Sequence, residues 1–102
     1  MELKANVNFD RFEAALQVVD AHTVGEFCRI VIGGFPEPEG TTMIEKKKWM
    51  EENYDKVRTA LMFEPRGHHD MFGAFLCEPV NPEADFGVMF MDTGGYLNMC
   101  GH

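Results

Sequence analysis

No apolar run in the sequence approaches the roughly 18 to 20 residues that span a bilayer. The opening, MELKANVNFD, lacks the continuous apolar core of a secretory signal. Membrane insertion and export are therefore not expected, and the cytoplasm is the expected compartment. Cationic residues are scarce, nine Lys and Arg against seventeen Asp and Glu, giving a net charge of -8. A surface of that sign repels phosphate backbones and anionic headgroups, so neither nucleic acid nor a membrane is an expected partner. The three cysteines, Cys28, Cys77 and Cys100, are widely spaced with no C-x-x-C pair. That spacing argues against a zinc knuckle or dithiol redox motif and for free thiols in a reducing compartment. Internal repeats and low-complexity tracts are also absent.

What is present is the composition of an ordinary folded chain, with 45% hydrophobic residues and nine Phe. A length of 102 residues allows one small domain with a thin core. Residues 1–15 are polar and weakly patterned and read as an amino-terminal extension, with the domain proper over 16–102. Leu16 to His22 and Phe27 to Ile32 are rich in β-branched residues and flank the break Thr23-Val24-Gly25-Glu26, which predicts two strands joined by a short turn. The stretch from Gly33 to Gly40 crowds glycine with proline and must loop. Thr42 with Glu45 three residues later forms a capping-box pattern. Met43, Met50, Tyr54, Val57 and Leu61 then fall on one face, predicting a single amphipathic helix of about five turns. The run Lys46-Lys47-Lys48, set among Glu45, Glu51 and Glu52, reads as the solvated face of that helix.

Pro65 and Gly67 end the helix. Met71 to Leu76 reads as a strand whose Gly73 admits close approach by another backbone. Phe86 to Met91 is the most apolar segment and reads as a buried strand before the tight turn Asp92-Thr93-Gly94-Gly95. The fold class is α+β, with a mainly antiparallel sheet and one long amphipathic helix, because the links within each strand pair are too short for parallel crossovers. One helix covers one sheet face at most. The other face calls for a packing partner outside the 102 residues, so the domain is expected to be incomplete at its carboxyl end.

Chemistry is concentrated in Gly94-Gly95-Tyr96-Leu97-Asn98-Met99-Cys100-Gly101-His102. A glycine directly after a thiol lets a small ligand reach backbone amides. A helix starting beyond His102 would present free N–H groups to a carboxylate and lower the thiol pKa toward the range of a useful proton acceptor. By itself, a cysteine in apolar surroundings is more often a structural residue.

The segment Met99-Cys100-Gly101-His102, preceded by Gly-Gly-Tyr-Leu-Asn, resembles the first catalytic motif of the proline racemase family. Asp20-Ala21-His22-Thr23-Val24-Gly25-Glu26 is similar to that family's D-x-H-T-x-G-E pattern. Glu64-Pro65-Arg66-Gly67-His68 with Asp70-Met71-Phe72-Gly73 is similar to its E-P-R-G-H-x-D-M-F-G pattern, and order and spacing agree from about residue 18 to the last residue. The resemblance implies part of one half of a pseudo-symmetric fold of the diaminopimelate epimerase type, in which each half supplies one cysteine. It implies an enzyme that racemises proline without pyridoxal, metal or other cofactor, one thiolate removing the α-proton while the opposing thiol delivers another. Cys100 matches the first of these cysteines, Gly101 and His102 match carboxylate-binding positions, and Phe72 and Leu97 match positions that contact the substrate ring. Proline or a hydroxyproline is the implied small-molecule partner, and a homodimer is expected for the full-length parent. Hydroxyproline 2-epimerase and trans-3-hydroxy-L-proline dehydratase are sister activities. A non-catalytic binding or assembly fragment is the competing class.

For Phe72 alone, core packing competes with a pocket role. His68, His69, Asp70 and Cys77 are poorly placed to share a metal, since adjacent side chains on an extended chain point to opposite faces. His22 and Glu26 in a turn, and Glu64 with Arg66 as an ion pair, read as structural. Cys28 and Cys77 lie in expected strands, where a thiol packs as a small apolar group.

Overall fold

The computed structural model of the chain describes residues 15–97. β1 (Gln17–Thr23) and β2 (Glu26–Gly33) form the antiparallel hairpin expected from their β-branched content. Both central residues of its turn have positive φ, Val24 at 51° and Gly25 at 88°, the handedness that matches the twist of paired strands. Glycine takes this conformation freely, whereas the β-branched Val24 is strained in it while its side chain stands almost fully exposed at the tip.

The helical segment is not continuous. α1 (Met43–Asn53) and α2 (Asp55–Met62) are separated at Tyr54, whose φ of -135° leaves the helical region. The break falls where Asn53 turns its side-chain amide back onto the Trp49 carbonyl and Asp55 opens the next helix. Asn and Asp bond locally to backbone and so favour helix boundaries over interiors. At the start of α1, Thr42 accepts the Glu45 amide through its hydroxyl oxygen. The Glu45 carboxylate reaches past the cap to the amide and hydroxyl of Thr41, and the Thr41 amide, more than any other group, holds its pKa below the usual carboxylate value.

β3 (Phe72–Cys77), β4 (Gly87–Asp92) and the two-residue β5 (Gly95–Tyr96) complete one sheet in the order β1-β2-β3-β4-β5. Three neighbouring pairs are antiparallel, but β2 and β3 run parallel. The sheet is therefore mixed, mainly antiparallel as expected but with one parallel pair. The two helices lie between β2 and β3 and supply the long connection that a parallel pair requires. Gly73 admits close approach: a Cβ there would lie 2.9 Å from the Arg29 carbonyl oxygen and from the terminal methyls of Met62 and Met91.

The helices cover one face of the sheet. Val31, Phe75, Cys77, Met89 and Met91 from the strands meet Met50, Leu61 and Met62 from the helices, with Met71 beside them. The opposite face is open, with Val19, Ile32 and Val88 exposed and Phe86 57% exposed at its margin. β4 is thus buried on one side only, because the helices reach only the side of Gly87, Met89 and Met91. The expectation of a sheet with one uncovered apolar face agrees with this arrangement. Among the described residues no helix is long and apolar enough to cross a membrane.

Phe75 is fully buried, with its ring in contact with Phe35 and Tyr96. Phe75→Ala should cost about 3–5 kcal/mol, a large share of the stability of a domain this small. Urea unfolding followed by circular dichroism is expected to show the transition displaced to much lower denaturant or lost. A shift of under about 1 kcal/mol would show that the core does not centre on this ring.

Candidate functional site

The open face forms a shallow concavity of about 420 Å³ whose walls include Ile30, Phe72, Leu76, Val88 and Phe90. Side chains alternate along a strand, so burying Val31, Phe75, Met89 and Met91 under the helices turns these residues to the other side. Its polar margin is at one end, where Thr23 and Glu26 leave the hairpin and the Cys28 thiol sits beside them. Its walls are otherwise apolar.

Phe72 and Leu97 are both half-buried and are linked through Phe90. The Phe72 and Phe90 rings lie 5.9 Å apart at 30°, and the Leu97 amide donates to the Phe90 carbonyl at 2.9 Å. Phe90 was not anticipated as a site residue, although the alternation of β4 places it on the face of Val88. Cys100, Gly101 and His102 lie outside the described residues. Gly94 and Gly95, which lead toward them, each donate an amide to Asp92 Oδ1, at 2.8 and 3.0 Å.

Three cations tie loops to the sheet and helices. Arg29 binds Asp20 through Nε and Nη2, and its Nη1 donates to the carbonyls of Leu61 and Arg66. The loop that carries His68 is thereby fastened at the Arg66 carbonyl, and the ion pair expected between Glu64 and Arg66 is not formed. Lys46 is only 6% exposed, contrary to its reading as part of a solvated face. Its ammonium meets Glu37 at 3.1 Å and the Glu78 carbonyl at 2.8 Å. Arg58 is also buried, held by both Asp55 oxygens and donating from Nη1 to the carbonyls of Asp92 and Thr93. The Arg58 hydrogen bond keeps the Asp55 carboxyl below its ordinary pKa, and Asp55 raises that of Arg58 in return.

Two histidines accept backbone amides within turns. His22 Nδ1 accepts the Gly25 amide within the hairpin turn, and His68 Nδ1 accepts the Asp70 amide. Burial pushes the Cys77 thiol up, away from the thiolate a nucleophile or base requires. Among the described residues the buried Tyr96 hydroxyl has no hydrogen-bond partner, and burial raises its pKa as well. Among the described residues no group of three or more His, Cys, Asp or Glu side chains could hold a metal ion.

Comparison with known proteins finds a family and several relatives named for proline or hydroxyproline. The family model described as proline racemase matches residues 18–102. Proline racemase from Clostridioides difficile is 58% identical over 92 residues, covering 90% of this chain and 28% of the relative. A trans-3-hydroxy-L-proline dehydratase from Azospirillum brasilense is 52% identical over 88 residues, covering 86% of this chain and 26% of the relative. The solved structure of a hydroxyproline epimerase from Agrobacterium vitis, with bound trans-4-hydroxy-L-proline, superposes with a TM-score of 0.70 at 25% identity. That superposition covers 79% of this chain and 24% of the epimerase. A probable proline racemase from Agrobacterium radiobacter K84 gives a TM-score of 0.71 at 28% identity, covering 80% of this chain and 25% of that structure. These relatives are named as racemases, an epimerase and a dehydratase of proline or its hydroxylated forms. The chain belongs to the proline racemase family. It spans about a quarter of the length of these relatives.

Because the folded pKa of Asp55 is depressed, its contribution to stability is fully present above the ordinary carboxylate value near about 3.9 and is lost as pH falls through the lower folded value. Melting temperature measured by circular dichroism should fall as pH drops below about 4. Asp55→Asn should be less stable at neutral pH and show a shallower fall. An identical pH slope in the variant would remove Asp55 as a source of acid sensitivity.

Proposed function

We propose that the chain is the first half-domain, over residues 16–102, of a cofactor-independent proline racemase and supplies one of its two acid/base groups. The observation that carries this reading is the family match, which runs through to His102 and so includes Met99-Cys100-Gly101-His102. Cys100 is the thiolate that takes the α-proton, becoming a thiol while the electron pair remains on the α-carbon and is delocalised into the carboxylate. Gly101 and His102 hold that carboxylate, where hydrogen-bond donors offset the charge that accumulates as the proton leaves. An opposing thiol on the second half delivers a proton to the other face, and the centre inverts.

The apolar character of the two residues that match ring-contacting positions, Phe72 and Leu97, supports proline as substrate. Phe72 offers the ring a surface without hydrogen-bonding groups, and Leu97 supplies a second apolar contact. A buried ring hydroxyl would need a polar partner that neither side chain offers. Hydroxyproline epimerisation and dehydration are the alternative activities, consistent with the dehydratase and epimerase relatives. The full-length parent is read as a cytoplasmic homodimer with an amino acid as its small-molecule partner, and residues 1–15 as an extension.

A two-base mechanism requires both halves, so the 102-residue chain alone should not racemise L-proline when the product is followed by chiral chromatography. Measurable D-proline would refute the division of the site between halves. A chimera in which residues 1–102 replace the matching part of the Clostridioides difficile enzyme should racemise proline, and Cys100→Ser in it should lower kcat by about 10²–10⁴-fold. Full activity in that variant would dismiss Cys100 as an acid/base group.

A further inference from the structure

We propose that Arg58 is a positioning residue for the substrate-facing hairpin, fixing the turn from which Leu97 and then Cys100 emerge. This rests on the reading in which those two residues face the substrate. The turn Asp92-Thr93-Gly94-Gly95 contains two adjacent glycines, one of them with φ of 147°, and glycine restricts the backbone least of all residues. Its shape therefore has to be imposed by contacts. Asp92 imposes part of it from within by accepting both glycine amides. Arg58 imposes the rest from outside, with one nitrogen directed at two successive carbonyls, Asp92 at 2.9 Å and Thr93 at 3.1 Å.

The arrangement separates two tasks that a single ion pair would confuse. Asp55 neutralises Arg58 through a two-point contact at 2.8 and 3.0 Å, so the Asp92 carboxylate remains available to the glycine amides. Arg58 is 8% exposed, which limits competition from water at the two carbonyls. From the turn the chain passes through β5 to Leu97, whose amide is held by the Phe90 carbonyl. A fork reaching a carboxylate and two carbonyls at once needs the planar geometry of arginine, which lysine does not reproduce. Arg58 touches no reacting atom; it acts through the turn.

The test uses the chain as it stands, comparing Arg58→Gln and Arg58→Lys with the parent sequence. Amide hydrogen exchange is read by NMR at Gly94, Gly95 and Leu97, with the β1–β2 ladder amides as internal reference. Iodoacetamide labelling is read by peptide mapping at Cys100, with buried Cys77 reporting global opening. In Arg58→Gln the three hairpin amides are expected to exchange about tenfold faster or more relative to the ladder. Cys100 labelling should change several-fold while that of Cys77 does not, and Arg58→Lys should behave in the same way. The proposal is overturned if the hairpin amides keep their protection, if lysine restores parent behaviour, if all amides and Cys77 respond in parallel, or if Cys100 labelling is unmoved. Should Arg58→Gln fail to fold, Asp55→Asn, which keeps the cation and weakens its anchor, is read against the same outcomes with a smaller expected change. Failure of the racemase reading would instead appear in the chimera, as full activity after Cys100→Ser with the exchange response of the Arg58 variants intact.

Discussion

Three buried or half-buried cations, each neutralised by one carboxylate, fasten the helical crossover to the sheet. Arg29 on β2 reaches the end of α2 and the loop beyond it, Lys46 on α1 reaches the segment after β3, and Arg58 on α2 reaches the turn after β4. Every one of them ends on backbone carbonyls as well as on a carboxylate. This matters more than the ion pairs themselves, since a desolvated pair gains little net free energy over an apolar replacement. Its value is geometric: a buried carbonyl left unpartnered is costly, so a loop that offers its oxygen to a fixed cation is confined to one place. The sheet and helices could pack by burial alone, but the position of the loops follows from these contacts.

Much of the fold is legible in the sequence because local chemistry decides it. The first hairpin follows from β-branched runs on either side of a glycine turn, and the α1 start from Thr42 and Glu45. The interruption at Tyr54 escapes the apolar periodicity because Val57 and Leu61 stay in phase across it, while Asn53 and Asp55 mark it only through local hydrogen bonding. Lys46 looks solvent-facing among its charged neighbours. Its partner Glu37 lies in a loop where no pattern assigns a direction, so its burial is a tertiary fact. The parallel pairing of β2 with β3 is likewise set by how the helices pack, not by either strand.

The site divides along the same line. Phe72 and Leu97 come from motif resemblance, and the structure adds Phe90, which touches one through its ring and the other through its backbone. Arg58 could not be singled out beforehand, since a helical arginine paired three residues back with an aspartate resembles any surface pair. What distinguishes it is its reach to residues more than thirty positions away. The motif at Cys100 has the opposite character, being informative as a sequence and lying outside the described residues.

The core on the covered side is built largely of sulfur. Met50, Met62, Met71, Met89 and Met91 are all buried, and flexible thioethers fill the irregular space between two short helices and a twisted sheet. Peroxide reaches such sulfurs only when the core opens, so the appearance of sulfoxide at these positions is a chemical clock for opening. The clock also changes what it measures. Each sulfoxide is polar and poorly accommodated where it forms, so the first oxidation hastens the next, and the chain ages by accelerating steps rather than at a constant rate.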